Sequence, residues 1–322
     1  MIGGEMRRLL VIGTGQMGPG IALSAARGGC QVTLYGRSES SLARGLETYR
    51  AGLAALRQYE IVDPDEAARA EANITGTTDL DAAARQAEWV IESIAEDLAA
   101  KQELYQRLDA LCPPETILTS NTSGLRATDI GAATRRPEQV LTTHFWNPPH
   151  LMELVEVVPG ERNDPAITER VLAALNSWGN KVAVLVKKDI LGQLGNRMQH
   201  ALLREVIYLL QEGVADAETL DLVLKKSFGL RSPIIGQLES NDLVGLQTVL
   251  AIQRYLNPVL YNGPSAPPLL EQLVAEGHLG AATGKGLRDW SNRDPNELRQ
   301  LRQTYLLEWF AAQKRKQRAS RQ

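Results

Sequence analysis

Three stretches of the chain hold residue types that could do chemistry. The first is Gly13-Thr14-Gly15-Gln16-Met17-Gly18, set behind the apolar run Leu9-Leu10-Val11-Ile12 and ahead of a helix-like stretch from Ile21. Its spacing is that of a dinucleotide turn. One glycine serves the tight reversal, one lets backbone approach a pyrophosphate, and one allows close packing of the following helix. Pro19 suits a first helical position, where its missing N–H is not needed. The second stretch is His144, one of four histidines, which closes the β-rich run 140–143 ahead of Phe145-Trp146-Asn147-Pro148-Pro149. Strand ends are where α/β sheets hold their ligands. The third is Glu156, in a run whose alternate positions are Met152, Leu154 and Val158. Its carboxylate therefore points into apolar surroundings and needs a partner, which an imidazole would supply. Glu153, on the opposite face and nearer the loop, reads as solvated. A histidine oriented by a carboxylate can take a hydroxyl proton near neutral pH, as hydride transfer at a carbinol carbon requires. From the residues alone, a buried structural histidine is an equally good reading of His144.

The residues after the second β-run bear on the choice of nucleotide. An NAD site usually offers a carboxylate there, about 20 residues past the turn, for the ribose 2'-hydroxyl. This chain has Tyr35-Gly36-Arg37-Ser38 instead. A carboxylate would repel a 2'-phosphate, whereas the Arg37 guanidinium and Ser38 hydroxyl would bind one. NADP is therefore expected ahead of NAD. The alternative is a solvated Arg37 with Glu39 reaching the ribose.

The elements that must position these groups alternate over the first half. Short β-rich runs around residues 9–12, 32–34, 89–91, 117–119, 140–142, 154–157 and 182–185 are separated by helical segments, which implies βαβ units and a mostly parallel sheet. Residues 40–72, interrupted near Asp63-Pro64, read as a helical hairpin projecting from the sheet, where it could cover part of a ligand. After Lys187-Lys188-Asp189 the β signals stop and helical patterns run to the C-terminus. The expected fold class is α/β: a Rossmann-type, mostly parallel sheet domain over 1–187, followed by an all-helical domain over 188–322.

A chain of 322 residues, 43% hydrophobic and 23% charged, is long enough for two domains. A net charge of -3 offers no field for nucleic acid, and the basic cluster 314–318 reads as a solvated helix end. Two cysteines, Cys30 and Cys112, make no disulfide framework, and no histidine or cysteine spacing forms a metal site. No apolar run reaches membrane-span length and no signal pattern opens the chain, so a cytoplasmic protein is expected. The apolar face formed by Leu202, Leu203, Val206, Leu209 and Leu210 exceeds what a thin layer of helices needs, and predicts a two-fold homodimer.

Taken together, residues 11–22 (VIGTGQMGPGIA), 120–123 (SNTS), 144–148 (HFWNP), 154–157 (LVEV) and 283–286 (TGKG) resemble the L-3-hydroxyacyl-CoA dehydrogenase family over nearly the whole chain. The tetrapeptides are unspecific one by one; their order and spacing are specific. The resemblance implies hydride transfer between NAD(P) and C3 of an (S)-3-hydroxyacyl-CoA or related 3-hydroxy acid. It implies His144 as general acid/base, Glu156 as its orienting partner, and Ser123 and Asn196 as donors to the substrate oxygen. It places Glu96, Lys101, Asn147 and Lys285 near the cofactor, beside Gly13, Gly15, Gln16, Met17 and Gly18. Gln193, Asn196 and His200 fall on one face of the first helix after the domain boundary. Departures from the family pattern are Gly36 in place of the acidic residue, Glu153 where acyl-CoA members carry a lysine, and the wording Asn-Pro-Pro-His, which resembles branches acting on small free carboxylic acids. Two alternatives therefore stand beside a CoA ester substrate: a free hydroxy acid, and a non-catalytic, crystallin-like role.

Overall fold

The computed structural model describes residues 6–320. Eight strands form one sheet: β1 (Arg8–Ile12), β2 (Gln31–Tyr35), β3 (Ile74–Thr77), β4 (Trp89–Glu92), β5 (Ile117–Ser120), β6 (Val140–Phe145), β7 (Leu154–Pro159) and β8 (Val182–Leu185). Their order is β3-β2-β1-β4-β5-β6-β7-β8, and all neighbours are parallel except β6 and β7. The central strands β4, β5 and β6 are buried along their whole length, covered on both faces, and toward their carboxyl ends they bury polar side chains such as Glu92, Ser120 and His144. Strand order reverses between β1 and β4, and the glycine turn leaves the sheet there, at the carboxyl end of β1.

The helix Gly18–Arg27 joins β1 to β2 with all ten residues buried. The stretch 40–72 forms two helices, Glu39–Gln58 and Pro64–Ala72, the second capped by Asp63 through Glu66 N (2.7 Å). This hairpin does not project. Leu42, Tyr49, Leu53, Leu56, Ala67 and Ala70 are buried in the same core as Ile21 and Leu23, and the Tyr49 hydroxyl donates to Ala70 O (2.6 Å). Two glycines allow the contact: a Cβ at Gly45 would stand 2.9 Å from Thr14 of the glycine turn, and one at Gly52 3.1 Å from Leu23. The polarity of the stretch, which suggested an arm in solvent, is that of its outer face alone. A second core on the other side of the sheet gathers Leu10, Ile12, Val90 and Leu118 with Tyr105 and Leu108 of the helix Leu98–Leu111.

Two compact units result, but their division differs from the expected boundary at 187. Residues up to Asn196 together with those from Arg302 onward form one unit, and Arg197–Leu301 the other. The turn after β8 stays with the sheet because its polar groups are spent there. Asp189 accepts from Thr128 N (2.7 Å), and Gly192 N donates to Gly124 O (3.2 Å). The end of the helix Pro295–Ala319 returns to the sheet unit, burying Leu307 and Ala311 in its core. The second unit is helical throughout, with Tyr208 stacked on Tyr261 and Arg288 paired with Glu218 and Asp221. Among its described apolar side chains only Ile207 and Pro267 are buried.

Candidate active site

The carboxyl ends of the parallel strands and the amino end of β7 meet at one edge of the sheet, and the chemistry-bearing residues of the sheet unit collect there. In the glycine turn, Gly13 has φ +117° and its N–H donates to Tyr35 O (3.1 Å). A Cβ at Gly13 would collide with Ser93 O, and one at Gly18 with Gly13 O. The chain's own packing requires both glycines. Gly15 differs: it is exposed, and a Cβ there would meet nothing within 4 Å. Open space at a glycine the fold does not demand, beside exposed Gln16, is a cradle for a ligand. The next helix begins at Gly18 with no side-chain cap from Met17, leaving its first N–H groups and positive dipole end for an anion such as pyrophosphate.

At the end of β2, Gly36 N donates to Thr77 O (3.1 Å), and a Cβ at Gly36 would stand 2.9 Å from the backbone of Leu42. Steric room keeps a carboxylate from this position. Arg37 is exposed, with no hydrogen-bond or ion-pair partner among the described residues. Ser38 caps the helix Glu39–Gln58 by accepting from Ser41 N (3.2 Å), and its Oγ lies 3.1 Å from Ser40 Oγ. Glu39 is turned to Thr78, whose hydroxyl donates to it (2.9 Å).

His144 and Glu156 stand directly opposite in the antiparallel register of β6 and β7, so their side chains share a face. Nδ1 of His144 lies 2.8 Å from Oε2 of Glu156. A carboxylate can only accept, so Nδ1 carries the hydrogen and Nε2 is left as the basic nitrogen. Nε2 has no hydrogen-bond partner among the described residues. Oε2 also accepts from the indole Nε1 of Trp146 (3.2 Å), and Oε1 from the N–H groups of Leu194 (2.8 Å) and Gly195 (3.0 Å). Burial alone would raise the Glu156 carboxyl; the bonds from His144, Gly195 and Leu194 outweigh it and hold it below the usual carboxylate range.

Ser123 is exposed, in the loop after β5. The Glu96 carboxylate ties that loop down by accepting from Thr122 Oγ1 (2.6 Å), Ser123 N (2.9 Å) and Gly124 N (2.9 Å). Burial works against ionised Glu96, but the Thr122 bond, the Lys101 charge and the two N–H donors keep its carboxyl low. Asn196 Nδ2 donates to Ser123 O (2.8 Å), which brings Asn196 and Ser123 together and leaves the second amide hydrogen free. Lys101 is fully buried, with Nζ 2.7 Å from Glu92 and 3.6 Å from Glu96. Its ammonium therefore faces carboxylates beneath the Ser123 loop. Glu92 also accepts from Ser120 Oγ (2.6 Å). Asn147 is exposed just past β6, and Lys285 is exposed on a tight hairpin of the helical unit, where its carbonyl accepts from Gly280 N (2.7 Å).

Trp146 was not singled out from sequence, and Gln193 sits differently from the reading given it there. Trp146 lies two residues beyond His144, the strand spacing that puts both on one face. Gln193 precedes the helix Gly195–Gln211 instead of lying on it; it has φ +44° and is buried, with neither amide atom hydrogen-bonded. His150 and Lys181 are packed below the loop after β6, where Lys181 Nζ donates to Pro149 O (2.7 Å) and Met152 O (2.9 Å). Burial, with the charges of Lys181 and Arg27, holds His150 down at about 4. Among the described residues no cluster could hold a metal ion, and no helix is long and apolar enough to cross a membrane.

Comparison with known proteins places this geometry. Residues 8–190 match the family described as 3-hydroxyacyl-CoA dehydrogenase, NAD binding domain, and residues 192–290 match 3-hydroxyacyl-CoA dehydrogenase, C-terminal domain. A probable 3-hydroxybutyryl-CoA dehydrogenase of Bacillus subtilis is 37% identical, over 90% of this chain and 99% of its own. The crystal structure of (S)-3-hydroxybutyryl-CoA dehydrogenase from Ralstonia eutropha superposes with a TM-score of 0.73 at 30% identity, covering 89% of this chain and 99% of that one. That of 5-formyl-3-hydroxy-2-methylpyridine 4-carboxylic acid 5-dehydrogenase, described as an NAD+-dependent dismutase, gives 0.87 at 30% identity over 96% and 98%. A glycine turn at the strand-order reversal, a carboxylate-held histidine one strand end away and matches spanning both units lead to one conclusion: the chain belongs to the 3-hydroxyacyl-CoA dehydrogenase family, nicotinamide-dependent oxidoreductases acting on CH–OH groups.

Proposed function

We propose that the protein oxidises the C3 hydroxyl of an (S)-3-hydroxyacyl-CoA, or reduces the corresponding 3-oxoacyl-CoA, with His144 as acid/base. The observation that carries this reading is the His144–Glu156 pair with its free Nε2. When bound, the nicotinamide supplies the hydride acceptor or donor. In the oxidative direction His144 Nε2 takes the hydroxyl proton while the C3 hydride leaves, so the carbinol becomes a ketone. Glu156 fixes the ring tautomer and stabilises the imidazolium that forms. Ser123 Oγ and the spare amide hydrogen of Asn196 hold the substrate oxygen. The exposed glycine cradle holds the pyrophosphate, and the unpaired Arg37 with Ser38 favours a 2'-phosphate, so NADP is the preferred nucleotide.

A second reading has one specific observation behind it. The higher TM-score belongs to a dehydrogenase named for a small pyridine carboxylic acid, and the hairpin beside the nucleotide turn is packed down with Arg27 and Arg57 already paired to Glu66 and Glu71. Arg44, Arg50 and Arg69 stay exposed on the hairpin with no ion pair among the described residues, so the free-acid reading rests on that structural likeness. Assaying 3-oxoacyl-CoA esters and the matching free acids, each with NADPH and NADH, separates the readings. Turnover confined to free acids would overturn the CoA assignment, and the absence of nucleotide-linked turnover on either would favour a non-catalytic role.

The working form is a homodimer joined through the helical unit. Met198, Ile234, Leu238 and Leu243 are each at least 70% exposed, more apolar surface than a soluble monomer usually leaves to water. Light scattering at micromolar concentration should give twice the chain mass; the single mass throughout would contradict it. Cys30 and Cys112 are free and buried, and burial pushes both thiols up to about 11, which leaves them unreactive.

A further inference from the structure

We propose that Trp146 sets the basicity of His144 by donating its indole N–H to the carboxylate that His144 also uses. It is a positioning residue acting through Glu156, and the proposal rests on the reading of His144 as acid/base. Glu156 Oε2 is shared between His144 Nδ1 at 2.8 Å and Trp146 Nε1 at 3.2 Å. The oxygen's negative charge is what stabilises an imidazolium. A second donor on the same oxygen disperses that charge and leaves less of it for the ring. The carboxylate thus orients the His144 ring while its charge is shared between two donors.

The indole is seated for this purpose. A Cβ at Gly195 would collide with its six-membered ring, so the residue whose N–H donates to Oε1 is also the one whose missing side chain makes room for the indole. The His144 and Trp146 rings lie 5.4 Å apart at 52°, too tilted for stacking. The groups facing the pair are otherwise accounted for. β7 contributes Glu156, the turn after β8 contributes two neutral N–H donors, and Glu96, from the loop after β4, is engaged by Thr122, Ser123, Gly124 and Lys101.

Replacing Trp146 by 3-benzothienylalanine keeps the bicyclic outline and aromatic face while removing only the donor; Trp146→Phe is the coded approximation. Two readings are compared with wild type: the pH dependence of oxidative kcat, and the NMR titration of the His144 ring in the nucleotide-free protein. Oxidation needs neutral imidazole, so its low-pH limb reports this group. Both the limb and the ring titration should move up by roughly 0.5–1 pH unit, with the plateau rate changed only a few-fold. Gly195→Ala, which displaces the indole, should move them in the same direction. A uniform fall in rate with limb and titration unmoved would overturn the proposal and leave Trp146 a packing residue. Near-normal turnover in His144→Ala would instead overturn the acid/base reading itself, and the ring titration would still decide whether Trp146 and His144 are coupled.

Discussion

His144 and Glu156 are cross-strand partners in the only antiparallel pair of the described sheet, and their side chains meet at 2.8 Å on a face that also carries Trp146 and the first N–H groups of the helix Gly195–Gln211. The reversal of β7 makes this possible. It returns a carboxylate to the edge where the parallel strands end, so that a histidine at the end of β6 is held from the side and keeps one nitrogen free. Removing the carboxylate's charge tests its share: Glu156→Gln should lower turnover less than loss of His144, because the backbone donors can still hold an amide oxygen.

Nucleotide choice should follow Arg37. Charge-assisted bonds to a partly exposed phosphate are worth roughly 1.5–3 kcal/mol, so NADPH should bind about ten- to a hundredfold tighter than NADH. Arg37→Gln should remove most of that difference when each reduced nucleotide is titrated by fluorescence quenching. Equal affinities in wild type would show the assignment to be wrong. Gly36→Asp is a poor route to NAD preference, because its Cβ would press on the Leu42 backbone at 2.9 Å and shift the helix that Ser38 caps.

Glu96→Ala should cost turnover without touching substrate. It leaves the Thr122 hydroxyl and the Ser123 and Gly124 N–H groups without their acceptor, and the Ser123 loop loosens. A fall of roughly ten- to a hundredfold in kcat/KM is expected. Since the folded state holds the Glu96 carboxyl low, its contribution is present above the unfolded carboxylate range and is lost as pH falls through the folded value. The wild-type protein should therefore lose more stability than Glu96→Ala on going from neutral pH to about 3.

Lys181 shifts stability in the same direction with pH, but in a higher window. Burial, helped by Arg27, holds its ammonium down at about 7, against about 10.4 in an unfolded chain. Between those values the unfolded chain binds the extra proton, so this group makes unfolding harder as pH rises. Denaturant melts of wild type and Lys181→Met at pH 7 and 9.5 should show that increment in the wild type alone. The variant should also be less stable, because Pro149 O and Met152 O lose their donor. An equal pH response in both proteins would contradict this placement of the charge.

Much of the site was legible because it is local. Glycine spacing marks the turn, and strand periodicity puts Glu156 on an inward face where an ion must find a partner. What was hidden depends on tertiary packing. The segment 40–72 reads as a polar arm because its outer face is polar, but Gly45 and Gly52 let it sink onto the helix Gly18–Arg27. Lys101, matched to a cofactor position by resemblance, faces Glu92 and Glu96, an arrangement no spacing along one chain announces. The unit division moved from 187 to 196 for the same reason: the hydrogen bonds of residues 189–195 go back to β7 and the loop after β5. Trp146 was within reach of a period-two reading from His144, and was passed over as part of a loop.

The most direct test of the proton-transfer assignment measures, by nicotinamide absorbance, the turnover of (S)-3-hydroxybutyryl-CoA with NAD+ and NADP+ by wild type and His144→Ala side by side, with nucleotide affinity determined for both. Wild type should turn over, and His144→Ala should fall by roughly two to four decades while binding nucleotide as before. Near-normal turnover without the imidazole would contradict the assignment.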